Sequence, residues 1–114
     1  MDTKTFFSST RTEGNFIFLS GQIGIKNGVL VSENIKEQVV QSVENITALL
    51  KKHNLPLDSV IDVVAFLIDQ EDYQPFNEIY GELFKEPFPT RTTVTVKSLP
   101  LGAKVEFKVI ARVT

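Results

Sequence analysis

Apolar and polar positions follow two different periods along this chain, and each change of period marks an element. The short run of aromatic and hydroxyl residues from Phe6 to Thr10 predicts a first strand. Glu13-Gly14-Asn15 is a turn signal. Phe16-Ile17-Phe18-Leu19 predicts a buried strand running towards Ser20-Gly21-Gln22-Ile23-Gly24-Ile25. Gly21 and Gly24 inside that run predict a bulge or a close backbone approach. Asn27-Gly28 is the residue pair of a tight hairpin turn with positive φ at both positions, and Val29 to Val31 is its return strand.

The period then changes to that of a helix. Ile35, Val39, Val43, Ile46 and Leu50 lie at spacings of 4, 4, 3 and 4, one face of a 3.6-residue repeat. Asn34 followed by Glu37 predicts a capping box. Lys51, Lys52 and His53 complement the carbonyl end, Asn54 closes it, and Pro56 prevents continuation. Val60 to Ile68 is almost wholly apolar and β-branched, which suits a strand buried on both faces. A second helix follows, with Asp72 as its cap, Pro75 in its first turn and Phe76, Ile79, Tyr80, Leu83 and Phe84 on its inner face. Pro87 and Pro89 end it, and two strands, Thr90 to Lys97 and Lys104 to Val113, complete the chain.

The resulting order, β-β-(β)-α-β-α-β-β, implies an α+β sandwich with both helices on one face of a mixed sheet. The other sheet face then needs cover, and a chain of 114 residues has no third layer to supply it. That points to a partner subunit. The length suits one domain, residues 1–114, and a chain of this mass is expected to expose roughly 6,300 Å² when folded.

Composition removes several chemistries. There is no cysteine, hence no disulfide, thiolate metal site or thiol nucleophile, and a single histidine leaves no His cluster for zinc. Twelve basic and fourteen acidic residues give a net charge of −2, with no basic stripe of the kind nucleic-acid binders carry. The N-terminus opens on an acid and lacks the apolar run of a signal peptide, and the longest apolar run, Val63 to Ile68, is far too short to span a membrane. A cytoplasmic protein is expected.

Arg91 is one of three arginines and opens a β-branched strand. Strand alternation puts Arg91, Thr93, Thr95 and Lys97 on one face, and Lys104, Glu106 and Lys108 together on the last strand. Pairing these strands as a hairpin puts Arg91 and Glu106 on the same side of the sheet, and a one-residue slip separates them. The functional reading is an anion clamp beside a carboxylate. Alternation alone favours the plainer one, a surface arginine and a solvated glutamate. Ser20-Gly21-Gln22-Ile23-Gly24 reads as a bulged strand or a backbone cradle and is not a P-loop. His53 reads as a helix cap, Asp62 as an edge residue or a local hydrogen-bond partner, and Asn77 as a surface position.

Taken in order, these stretches resemble the RidA/YjgF family of enamine/imine deaminases. The resemblance is carried by Phe18-Leu19-Ser20-Gly21-Gln22-Ile23-Gly24, Gln38 and Asn45, Phe76-Asn77-Glu78-Ile79-Tyr80 with Phe84, Pro89-Thr90-Arg91-Thr92-Thr93-Val94, and Leu99-Pro100-Leu101-Gly102-Ala103-Lys104-Val105-Glu106. It implies a chorismate-mutase-like α+β fold, a homotrimer with sites between subunits, and cofactor-free hydrolysis of 2-imino or 2-enamino acids to 2-keto acids and ammonia. It assigns carboxylate binding to Arg91, water activation to Glu106, and ligand contacts to Asn77, Ser20 and Gly21. Thr93 stands where the family often has a cysteine and could offer its hydroxyl. Phe7 stands where many active members have a tyrosine facing the site, so one hydroxyl is lost, and the loop before Arg91 is shortened. A non-catalytic trimer that binds small 2-keto acids is the alternative, with Phe7 and Glu106 as the discriminating positions. Isomerase chemistry on a bicyclic dicarboxylate would want more than one basic residue in the cleft. The ribonuclease label attached to the family sits poorly with an acidic chain.

Overall fold

Eight strands and two α-helices arise from this pattern in the computed structural model, which describes residues 5–114. The first strand is β1 (Thr10–Glu13), and Gly14 at φ 57° turns it into β2 (Phe16–Leu19). The strand expected over Phe6 to Thr10 therefore begins where that expectation ends. The two-residue Gly14-Asn15 turn sets the register Thr10 to Leu19 through Glu13 to Phe16, which draws Arg11, Thr12 and Glu13 into the ladder and leaves Phe6 and Phe7 exposed. After a break at Ser20-Gly21 come β3 (Gln22–Ile23), β4 (Ile25–Lys26) and β5 (Val29–Leu30). Asn27 and Gly28 form the β4–β5 turn, both at positive φ as their types allow.

Helix α1 (Ile35–Lys51) starts where Asn34 Oδ1 accepts the Glu37 backbone N–H at 3.0 Å. Only this half of the expected capping box forms, because the Asn34 N–H donates to Ser32 Oγ instead. The helix ends as Asn54 turns to φ 60° and the Leu55 N–H returns to the Leu50 carbonyl. Strand β6 (Val60–Leu67) follows, then α2 (Tyr73–Leu83). Asp72 makes no capping bond with its side chain; Asp69 caps instead, accepting the Glu71 N–H ahead of a short 3₁₀ turn that leads into the helix. The chain closes with β7 (Thr90–Thr95) and β8 (Val105–Arg112).

The main sheet runs β1-β2-β8-β6-β7, with β3 also on β8. The last two strands are therefore not a hairpin. Strand β7 returns parallel to β6 through the α2 crossover, and β8 pairs antiparallel on the other side of β6. A crossover through a helix must bring its strand back parallel, and the 3₁₀ turn at Pro100–Gly102 then carries the chain past β6 to its free edge.

One face of this sheet carries Ile17, Leu19, Val63, Ala65, Leu67, Val105, Phe107, Val109 and Ala111, all buried against Val39, Val43, Ile46 and Leu50 of α1 and Phe76 and Tyr80 of α2. Phe107 meets Phe76 and Tyr80 at centroid distances of 5.9 and 6.5 Å. Gln38, with no exposed surface, joins the layers: Nε2 donates to the Ser32 carbonyl and Oε1 accepts the Lys104 N–H. Gly24 crosses α1 so closely that a Cβ there would lie 2.7 Å from the Gln38 carbonyl oxygen, so only glycine fits.

The opposite face carries Phe18, Val64, Phe66, Val94 and Ile110 in half-exposed or exposed positions. Strand β6 is thus buried on one face, not on both. The chain exposes 7317 Å², more than the roughly 6,300 Å² expected of a self-contained protein of its mass. It is a plate, 45 × 38 × 21 Å, with one uncovered side.

Candidate functional site

The sequence-predicted residues fall into two groups on opposite faces of the sheet. In the row formed by β8, β6 and β7, Val63 pairs with both Val109 and Arg91, and all three point to the helices. Phe66 pairs with both Glu106 and Val94, and these point to the open face. The expectation that Arg91 and Glu106 share a side within one chain is overturned. An intervening strand with its own alternation separates them.

The first cleft, of about 300 Å³, is lined by Asn77, Tyr80, Gly81, Phe88, Pro89 and Arg91. Helix α2 aims Tyr73, Phe76 and Tyr80, at i, i+3 and i+7, along one side of its cylinder, and the Arg91 side chain lies over all three rings. Its Cζ is 4.6 Å from the Tyr80 centroid, close enough for cation–π attraction. Nη2 donates to the Tyr73 hydroxyl at 3.1 Å. Among the described residues no carboxylate forms a salt bridge with Arg91. The Tyr80 hydroxyl and Thr93 Oγ1 are buried without a hydrogen-bond partner. Burial pushes the Tyr80 phenol above its usual 10.0; Arg91 opposes the rise and Asp62 adds to it. Asp62 itself accepts from the Thr90 hydroxyl at 2.6 Å, the local hydrogen bond its sequence position suggested.

The second cleft, of about 410 Å³, is lined by Phe7, Ser20, Gly21, Ile23, Ile25, Pro100 and Glu106. The break between β2 and β3 brings Ser20-Gly21 across β8, because both flanking strands pair with it. Gly21 leaves room for the Glu106 side chain, and a Cβ there would overlap Oε2 and lie 2.9 Å from Cδ. The Ser20 hydroxyl is engaged, donating to the Ser8 carbonyl at 2.6 Å. Burial raises the Glu106 carboxyl above its usual 4.5, so it holds a proton more readily than a free glutamate. Next to it on the same face, Lys108 Nζ donates to the Leu19 carbonyl at 2.6 Å. His53 remains at the end of α1, its Nε2 3.2 Å from Thr10 Oγ1 and outside both clefts.

One cleft therefore offers a cation on an aromatic floor, and the other a half-buried carboxyl in a largely apolar cup. The ring set beneath Arg91 was not singled out from the sequence as a site, although the spacing of Tyr73, Phe76 and Tyr80 was its signal. No group of three or more potential metal-ligating side chains occurs among the described residues.

Comparison with known proteins adds a second line. Residues 1–113 match the family described as Endoribonuclease L-PSP. A RutC family protein of Pyrococcus horikoshii is 40% identical over 107 residues, covering 92% of this chain and 85% of that protein. The chloroplastic Reactive Intermediate Deaminase A of Arabidopsis thaliana is 36% identical over 107 residues, covering 92% of this chain and 57% of that longer protein. The crystal structure of YyfA from Yersinia pestis, described as a protein of the Rid family, superposes with a TM-score of 0.91 at 34% identity, covering 96% of this chain and 90% of that one.

Proposed function

The chain belongs to the endoribonuclease L-PSP (RutC/RidA) family, and we propose that within it the protein hydrolyses reactive 2-imino and 2-enamino acids to 2-keto acids and ammonia. The observation that carries this reading is the pair of half-sites: Arg91 without a carboxylate partner on one face, Glu106 with a raised pKa on the other. Two copies of the chain, set so that the Arg91 cleft of one meets the Glu106 cleft of the next, complete one site. A closed ring of three gives every copy the same contact. The uncovered sheet face supplies apolar surface for that contact.

In this site the substrate carboxylate sits on the Arg91 fork through two parallel hydrogen bonds. Asn77 and Thr93 Oγ1 lie on the arginine side, and the Ser20-Gly21 backbone on the glutamate side. Glu106 orients a water towards C2. As the C2–O bond forms, Glu106 takes the water's proton and passes it to the imine nitrogen; the carbinolamine hydroxyl then gives up its own proton, relayed by Glu106 to the amine, as the C2–N bond breaks and ammonia leaves. The reaction consumes water alone. Phe7 supplies an apolar wall where a hydroxyl would otherwise stand. A cytoplasmic, reducing location suits a chain without cysteine, and no helix among the described residues is long and apolar enough to cross a membrane. The acidic charge balance gives RNA cleavage no support.

The test is keto-acid and ammonia release from 2-aminoacrylate or 2-iminobutyrate generated in situ. Wild type is expected to exceed the buffer rate, and equality with buffer overturns the deaminase reading. Binding of a 2-keto acid without turnover would make the protein the non-catalytic binding module instead. As a base Glu106 must be ionised, so kcat/KM is expected to fall as pH drops through its raised pKa. The acid limb then lies above pH 4.5, and a limb at or below that value contradicts the assignment.

Gly21→Ala isolates the carboxylate position. The added methyl displaces the mobile end of a glutamate side chain and leaves the backbone in place. Turnover is expected to drop about 10- to 100-fold while the melting temperature stays near wild type. An unchanged rate would place the working carboxylate elsewhere.

A further inference from the structure

Arg91 is held in two different ways, and the two have different consequences. The rings of Tyr73, Phe76 and Tyr80, with centroids 5.9, 5.3 and 4.6 Å from Cζ, fix where the guanidinium lies. A π face attracts positive charge but does not select which edge of the fork points outward. The Tyr73 hydroxyl does select, because it accepts one N–H of Nη2 at 3.1 Å. That leaves the remaining N–H groups in a set direction. Two acceptors on one nitrogen diverge by about 120°, so a carboxylate on the fork would lie about 5 Å from the Tyr73 oxygen, beyond hydrogen-bond reach. Tyr73 therefore acts on a ligand only through Arg91.

We propose that Tyr73 is a positioning residue whose hydroxyl sets the rotation of the Arg91 fork and so tunes the protein for planar, two-oxygen acids. The inference rests on reading Arg91 as the carboxylate clamp. Tyr73 is 44% exposed at the first turn of α2, where its hydroxyl serves no core contact. Phe at this position would keep the ring beneath Arg91 and remove only the orienting bond. Leu would remove both.

The experiment measures the dissociation constant of 2-oxobutanoate, a stable 2-keto acid, by NMR titration, together with KM and kcat for 2-iminobutyrate. Wild type, Tyr73→Phe, Tyr73→Leu and Arg91→Ala are compared. Tyr73→Phe is expected to raise the dissociation constant and KM together by about fivefold, with kcat and melting temperature close to wild type. Tyr73→Leu is expected to weaken binding further. A merely structural role would lower the melting temperature and leave the dissociation constant unmoved, and that result overturns the proposal. Wild-type affinity in Tyr73→Phe with binding lost in Arg91→Ala overturns the proposal alone. Wild-type affinity in Arg91→Ala overturns the clamp and this proposal with it.

Discussion

Arg91→Ala and Glu106→Ala chains, each inactive alone, are expected to recover activity when mixed in equal amounts, unfolded and refolded together. Every chain in the mixture lacks one of the two groups, so no single chain could work by itself. In a head-to-tail ring, however, a junction works whenever one chain supplies Arg91 and its neighbour supplies Glu106. Random assembly makes about a quarter of the junctions competent, and ammonia release is expected to reach about that fraction of wild type. The reason lies in the sheet: Arg91 shares its row with Val63 and Val109, and Glu106 shares its row with Phe66 and Val94, on the opposite face. No recovery on mixing would mean that both groups act within one chain, which the strand register opposes, or that copies do not meet in this way. A solution mass of a single 12.8 kDa chain would also end the shared-site reading.

The second large effect is at Arg91 itself. Arg91→Ala is expected to lower kcat/KM by about 10²–10³-fold, the scale of losing a charged, two-bond partner for a carboxylate in a partly desolvated cleft. Arg91→Lys restores the charge and lacks the planar fork that fits both a carboxylate and the flat faces of Tyr73, Phe76 and Tyr80. It is expected to recover only part of the loss, about tenfold. The measurement is steady-state keto-acid formation, with a melting curve to show that both variants fold. Activity within threefold of wild type in Arg91→Ala would dismiss the clamp.

The sequence made the elements legible where a period or a turn chemistry speaks for itself. The 3.6-residue repeat over Ile35 to Leu50 became α1, Asn27-Gly28 became a hairpin turn at positive φ, and the glycines at 21 and 24 became close approaches. What stayed hidden was which strand lies beside which. Strands β7 and β8 are close in sequence and joined by a turn-rich segment, so local signals favour a hairpin; the parallel return through α2 places β6 between them. Alternation along each strand was correct and their relative facing was not, because that depends on a third strand about 30 residues upstream. The site residues came from a resemblance covering nearly the whole chain. The structure divides Arg91 and Glu106 between opposite faces of the sheet and adds Tyr73, hydrogen-bonded to an arginine 18 residues away.

Gln38 has a consequence for motion. Glu106 stands only two residues beyond Lys104, at the start of a strand, where chains commonly fray. The Lys104 amide, however, is tied to Gln38 Oε1 on the fully buried side of α1, and the same side chain grips the Ser32 carbonyl before that helix. Releasing the segment that carries Glu106 would leave the Gln38 amide oxygen without its partner deep in the protein, at a cost far above that of ordinary end fraying. The carboxylate is thus tied through the backbone to a fully buried hydrogen-bonded side chain, although it faces an open cleft. Any opening of this cleft therefore falls to what borders Glu106 from elsewhere in the chain, Phe7 among them.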